Sequence, residues 1–224
     1  MLYELSVKLS ETLPRYDETI PKCVFQPYTT IKNGDYNNQT VISVFSHSGS
    51  HVDAPYHFCP QGKSIEEVDI ADFIFTRALF INVETGKGGR IPVERLRGTP
   101  GLEQADILLL YTGYSRYCDN EPVFRDDFPA LTLETCRFLR EELPELKAIA
   151  LDTMSVDGTD GYETGFANHH MLLEMREDHM RPILIYENMN FTPIIGCRDF
   201  FKVYGIPLRM KGLDASPVTM VAEL

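Results

Sequence analysis

The 224-residue sequence predicts a mixed α/β fold, a curved or barrel-like β-sheet with a few flanking helices, in a single domain spanning residues 1–224. Three observations lead there. β-prone runs outnumber helical ones, and the two do not alternate in the strict strand–helix order of a doubly wound sheet. No Pro/Gly/Ser-rich linker or shift in composition divides the chain.

Taken in order, Leu2 to Leu9 alternates well enough for a first strand. Thr12 to Asn38 reads as extended and loop-like, because Pro14, Pro21, Pro27 and the Asn33-Gly34-Asp35 turn signal oppose helix. Val41 to Phe45 is a short β-prone run. Further buried-strand runs are Leu79 to Val83, Ile107 to Tyr111, Ala148 to Leu151, Ile183 to Tyr186 and Val218 to Val221. Two helices are expected. Thr132 caps one that runs to about Leu143, with Glu134 near its positive end and Pro144 stopping it. A second covers Asn168 to about Asp178.

Hydrophobic residues make up 43% of the chain and charged residues 24%, so at this length a substantial core forms without staples. The net charge of −12 repels phosphate backbones, which argues against nucleic acid and anionic membrane as partners. No segment approaches the run of about 18 apolar residues that a membrane span needs, and Met1-Leu2-Tyr3-Glu4 does not begin a secretory leader. Five scattered cysteines (Cys23, Cys59, Cys118, Cys136 and Cys197) never form a Cys-x-x-Cys pair. They read as reduced thiols, and the protein is expected in the cytoplasm.

All six histidines fall in two places: His47, His51 and His57, then His169, His170 and His179. The first group shares eleven residues with Asp53, and imidazole with carboxylate is the donor set that zinc and manganese take. Ala54-Pro55 disfavours a helix through this stretch. In an extended chain, positions 47, 51, 53 and 57 all face one side, since every offset is even. Yet four residues of straight strand span roughly 13 Å, too far for two imidazoles to meet one ion. The chain must bend between them, and Ser48-Gly49-Ser50 supplies the place.

His47-x-Gly49-Ser50-His51-x-Asp53-Ala54-Pro55-x-His57 resembles the His-x-Gly-Thr-His-x-Asp-x-Pro-x-His signature of the cyclase family of metal-dependent hydrolases, which includes kynurenine formamidases and isatin hydrolases. Ser50 replaces threonine and keeps the hydroxyl. Tyr111-Thr112-Gly113-Tyr114, Asp152-Thr153-Met154-Ser155-Val156-Asp157 and Leu213-Asp214-Ala215-Ser216-Pro217-Val218 are similar to further family segments, in the same order. The resemblance implies a swivelling β/β/α, cyclase-like fold. It implies His47, His51 and Asp53 as metal ligands, Asp53 able to bridge two ions, and His57 as the catalytic acid/base. The distal ligands it implies are His169, with His170 as competitor, and Glu187. His179 falls in an insertion near Arg176 to Asp178. The family's aromatic substrate wall has no tryptophan to supply it here, which leaves Tyr16, Phe25 or Tyr28.

The expected chemistry is hydrolysis of a small amide, formamide or cyclic amide, in the manner of an arylformamidase. One or two divalent ions, Zn²⁺ or Mn²⁺, activate water, and His57 handles the proton. An ester or lactone hydrolase, or a metal-dependent cyclase or dehydratase, shares every one of these residues. A structural metal protein does not explain His57, and no Gly-x-Ser-x-Gly elbow points to a serine nucleophile. A small-molecule substrate and a homo-oligomer are expected, as is common among enzymes.

Overall fold

A computed structural model describes residues 1–118, 120–176 and 180–224. Its strands are β1 (Leu2–Glu4), β2 (Val24–Thr29), β3 (Gln39–Ser43), β4 (His51–Asp53), β5 (Ile74–Asn82), β6 (Arg90–Ile91), β7 (Ile107–Tyr111), β8 (Ala130–Leu131), β9 (Ala148–Leu151), β10 (Leu184–Glu187), β11 (Phe201–Tyr204), β12 (Ala215–Pro217) and β13 (Val221–Glu223). The helices are α1 (Glu121–Arg125), α2 (Leu133–Glu142), α3 (Gly161–Thr164) and α4 (Ala167–Leu173). Among the described residues, nine strands form one mixed sheet in the order β1-β13-β11-β5-β7-β9-β10-β4-β12. The central four, β5, β7, β9 and β10, run parallel, and antiparallel strands flank them on both sides.

The parallel strands are apolar at nearly every position because both faces are covered. On β7, Ile107, Leu109 and Tyr111 enter one buried cluster while Leu108 and Leu110 enter the other. The second cluster also holds Cys136, Phe138 and Leu139 of α2 and Leu172 and Leu173 of α4, so the helices cover that face. The first cluster joins Leu5, just past β1, to Val52 in β4 near the far edge. The sheet therefore curls into a half-barrel. Chain connectivity says the same. Pro217 ends β12 at one edge and Val221 begins β13 near the other, and four residue steps reach at most about 14 Å. Leu5 helps bridge the gap: its N–H donates to Met220 O and its carbonyl accepts from Asn190 N, each at 2.8 Å.

The mixed, curled sheet matches the fold class read from sequence, with local differences. The first strand stops at Glu4, leaving only a bridge from Ser6 to Met189, because the chain turns there to close the curl. The stretch expected to be a loop contains β2, paired with β3 as a separate hairpin. Pro27 is tolerated because β2 has a free edge for its missing donor. Val218 and Met220 are buried, yet they cross between strands rather than forming one. The Thr132 side chain accepts from Thr135 N and caps α2 as expected. α4 ends at Leu173, short of the expected end near Asp178, a residue that lies outside those described. Its last turn is instead held by the buried Arg140 of α2, which donates to the carbonyls of Met171, Glu174 and Met180.

Candidate metal centre

The site lies where β4, β10 and α4 meet. On β10, Ile185 belongs to the helix-covered cluster, so Glu187, two residues on, faces the same side. β4 pairs antiparallel with β10, setting Asp53 opposite Ile185 and His51 opposite Glu187. His51 and Asp53 thus point with Glu187 toward the helices, while Val52 points into the opposite core. His47 reaches the same place because the chain does bend: Gly49 takes φ +61° in the left-handed region. A short 3₁₀ turn, Pro55–His57, returns His57 from the other end of β4.

α4 brings His169, aimed by Asp157. That carboxylate accepts from the backbone N–H groups of Asn168 (3.0 Å) and His169 (3.3 Å), and lies 2.6 Å from His169 Nδ1. His170 turns away and pairs with Glu174 at 3.2 Å on the exposed side. His179 lies outside the described residues. The structure therefore gathers His47, His51, Asp53, His57, His169 and Glu187 into one cluster and leaves His170 out.

The distances suit an ion. His51 Nε2 is 3.5 Å from Asp53 Oδ1 and 3.5 Å from Glu187 Oε2. His169 Nε2 is 3.5 Å from Asp53 Oδ2 and 3.5 Å from Glu187 Oε1. His47 Nδ1 is 3.0 Å from Asp53 Oδ1. Two ligands each about 2.1 Å from a tetrahedral centre stand about 3.4 Å apart. Moreover, His51 Nε2 and both Asp53 oxygens are buried without a hydrogen-bond partner. Such orphaned lone pairs are costly unless a cation takes them.

The imidazoles are also held from behind. His51 Nδ1 meets Gly49 O at 2.9 Å, His169 Nδ1 meets Asp157, and His47 Nε2 meets Asp214 Oδ2 at 2.8 Å. In each case one nitrogen is engaged and the other faces the shared centre, which is how metal-ligating histidines are oriented. The residues present fit a divalent cation. Sequence reasoning gave no role to Asp157 or Asp214. Both stand in the family-like segments, but nothing local ties them to histidines 12 and 167 residues away.

Electrostatics agree. Burial opposes a charge on His47, yet Asp53 and Asp214 outweigh it and lift its pKa to about 10. Burial likewise opposes charge on His169, and Asp157, Asp53 and Glu187 raise it well above the ordinary value. Asp53 is held well below the usual carboxylate range despite complete burial, by His47 and His51. Glu187 is lowered too, its burial outweighed by His169 and His51. Both shifts favour the ionised carboxylates, and the centre calls for positive charge.

Above the cluster opens a cavity of about 270 Å³. Tyr16, Phe45, Phe58, Tyr162 and Phe166 wall it, and Phe58 stacks on His169 with ring centroids 4.7 Å apart. Of the three aromatic wall residues considered from sequence, Tyr16 lines the cavity, while Phe25 and Tyr28 lie on the β2–β3 hairpin away from it.

A half-barrel sheet that presents imidazoles and carboxylates, several with unpartnered lone pairs, at the floor of an aromatic-walled cavity defines a class: an α/β protein with a donor set for a divalent cation. More particularly, the chain belongs to the cyclase family, whose model, described as Putative cyclase, matches residues 3–158. It is 30% identical over 180 residues to a kynurenine formamidase of Bacillus anthracis, covering 80% of this chain and 77% of that one. In fold it is similar to isatin hydrolase A from Ralstonia solanacearum, with TM-score 0.81 and 17% identity over 99% of this chain and 91% of that one. A predicted metal-dependent hydrolase from Bacillus stearothermophilus is similar too, with TM-score 0.77 and 17% identity over 99% and 97%. Among the described residues, no helix is long and apolar enough to cross a membrane.

Proposed function

We propose that this chain is a metal-dependent hydrolase of a small amide, either an N-formyl aromatic amine or a cyclic aromatic amide. The observation that carries the reading is the buried convergence of orphaned His51 and Asp53 donor atoms with His169 and Glu187 beneath an aromatic cavity. The formamidase relatives and the isatin hydrolase fold support the amide bond as target. His47, His51, Asp53, His169 and Glu187 would hold the metal. Neutral imidazole and carboxylate suit Zn²⁺ or Mn²⁺, and the two oxygens of Asp53 face different imidazoles and would be available to one ion or two. When bound, a divalent ion supplies Lewis-acid polarisation of a carbonyl and activation of water near neutral pH.

The chain's own residues do the rest. Flat side chains along the cavity bind an aromatic ring and exclude bulk water from it. His57 stands beside the donors, its ring centroid 4.2 Å from that of His47 and 5.7 Å from that of His169. It takes a proton from the attacking water as the C–O bond forms, and returns it to the leaving nitrogen as the C–N bond then breaks.

The test is a screen of N-formyl anilines, isatin-like cyclic amides and lactones with wild type and His57→Ala. Chelation should abolish turnover, and His57→Ala should keep its metal while losing about 10²–10⁴-fold in kcat. A His57→Ala protein at near-wild-type rate ends the assigned role. Activity confined to esters replaces the amide reading with a lactone or ester hydrolase.

A further inference from the structure

We propose that Asp214 is the positioning residue that fixes the tautomer of His57, leaving Nε2 as the atom that accepts and returns the proton. The catalytic consequence rests on the hydrolase reading above, whereas the tautomer itself does not. Asp214 Oδ2 lies 3.2 Å from His57 Nδ1, and the same oxygen meets His47 Nε2 at 2.8 Å. An ionised carboxylate only accepts hydrogen bonds, and a neutral imidazole has one donor nitrogen and one acceptor nitrogen. A carboxylate charge 3.2 Å from Nδ1 favours the proton on that nitrogen and leaves the lone pair on Nε2.

Backbone hydrogen bonds frame this contact. The Asp214 carbonyl accepts from Ala54 N at 2.9 Å, and the next residue, Ala215, pairs with Asp53 in the β12–β4 register. His57 closes its 3₁₀ turn with an N–H to Ala54 O at 2.9 Å. Both partners are thus tied to the backbone of Ala54. The ring of His57 packs against His47 at 4.2 Å and Phe58 at 4.5 Å between centroids, which sets its plane. Packing does not choose between the nitrogens; the carboxylate does.

Asp214 also engages His47, so a role through His57 must be separated from a role through the metal. The donors His51, Asp53, His169 and Glu187 do not touch Asp214 in the contacts above, and they remain when its side chain is changed. Because the backbone carbonyl makes the structural bond to Ala54, Asp214→Asn and Asp214→Ala leave that bond in place.

The experiment combines zinc content, steady-state kinetics and imidazole ¹⁵N shifts of the zinc-loaded protein. In wild type, the His57 signals should show the Nδ1–H form. In Asp214→Asn and Asp214→Ala, that signature should be lost and kcat should fall about 10²–10⁴-fold, with KM within about twofold and zinc content unchanged at saturating zinc. An Nε2–H signature in wild type overturns the proposal whatever the variants do. So does an unchanged kcat in Asp214→Ala, or a loss of zinc that accounts for the lost rate. If no amide, ester or lactone is turned over, the hydrolase reading falls, and the ¹⁵N shifts alone still decide whether Asp214 sets the tautomer.

Discussion

Replacing Asp53 by asparagine addresses the centre most directly, because this side chain is completely buried and joins both halves of the donor set. Asn keeps the shape but loses the charge, and its NH₂ places hydrogens where one lone pair faced an imidazole. The measurable quantity is the gain in Tm when chelated protein is reloaded with Zn²⁺ or Mn²⁺. An ion that binds only the folded state at 100 times its Kd adds about 2.7 kcal/mol. For a chain of this size each kcal/mol moves Tm by about 2–4 °C, so wild type should gain roughly 5–11 °C. Asp53→Asn should gain close to nothing. Reading the increment within each protein cancels whatever the substitution does to the metal-free fold. Scanning calorimetry on the chelated and reloaded proteins supplies it. A full increment in Asp53→Asn, or none in wild type at saturating ion, would refute the centre described here.

Two further outcomes are expected. Gly49→Ala puts a Cβ 3.0 Å from Leu9 Cδ2 and 3.1 Å from Leu13 Cδ1, so those side chains must give a little, and it places alanine at a φ of +61°; the backbone strain of about 1–2 kcal/mol in the loop that aims His47 should appear as weaker metal affinity by titration calorimetry, and unchanged affinity would show that the bend does not require glycine. His47 has its folded pKa raised to about 10 against an ordinary 6.5, so in metal-free protein the stability it contributes is full below about pH 6.5 and is lost as pH rises through 10. The Tm difference between chelated wild type and chelated His47→Gln should therefore shrink from pH 6.5 to 10, and a constant difference would contradict that sign.

Local sequence was enough where local geometry sets the outcome. Thr132 and Pro144 bracket α2, whose last helical residue is Glu142. Ile107 to Tyr111 and Ala148 to Leu151 announce their strands as short apolar runs, and both form with those bounds. The weakest elements to read were those fixed by distant partners. β2 hides behind Pro27 because a free-edge strand makes few demands on its residues. The crossing at Val218 to Met220 resembles a strand because it is equally buried, and burial alone does not reveal pairing.

The site divides the same way. The even spacing of His51 and Asp53 by itself places both on one face of a strand, and the reach of four extended residues by itself demands a bend near Gly49. Tertiary structure alone decided that Glu187 stands across from His51, that His169 rather than His170 turns inward, and that Asp214 reaches both His47 and His57. Neighbouring histidines on a helix differ only by the 100° between successive side chains, and which one faces the core depends on how α4 docks. Cross-strand register and contacts between residues more than a hundred positions apart leave no period in the sequence. They are set when the sheet assembles and pairs β12, with Asp214 just before it, against the β4 strand of the histidine motif.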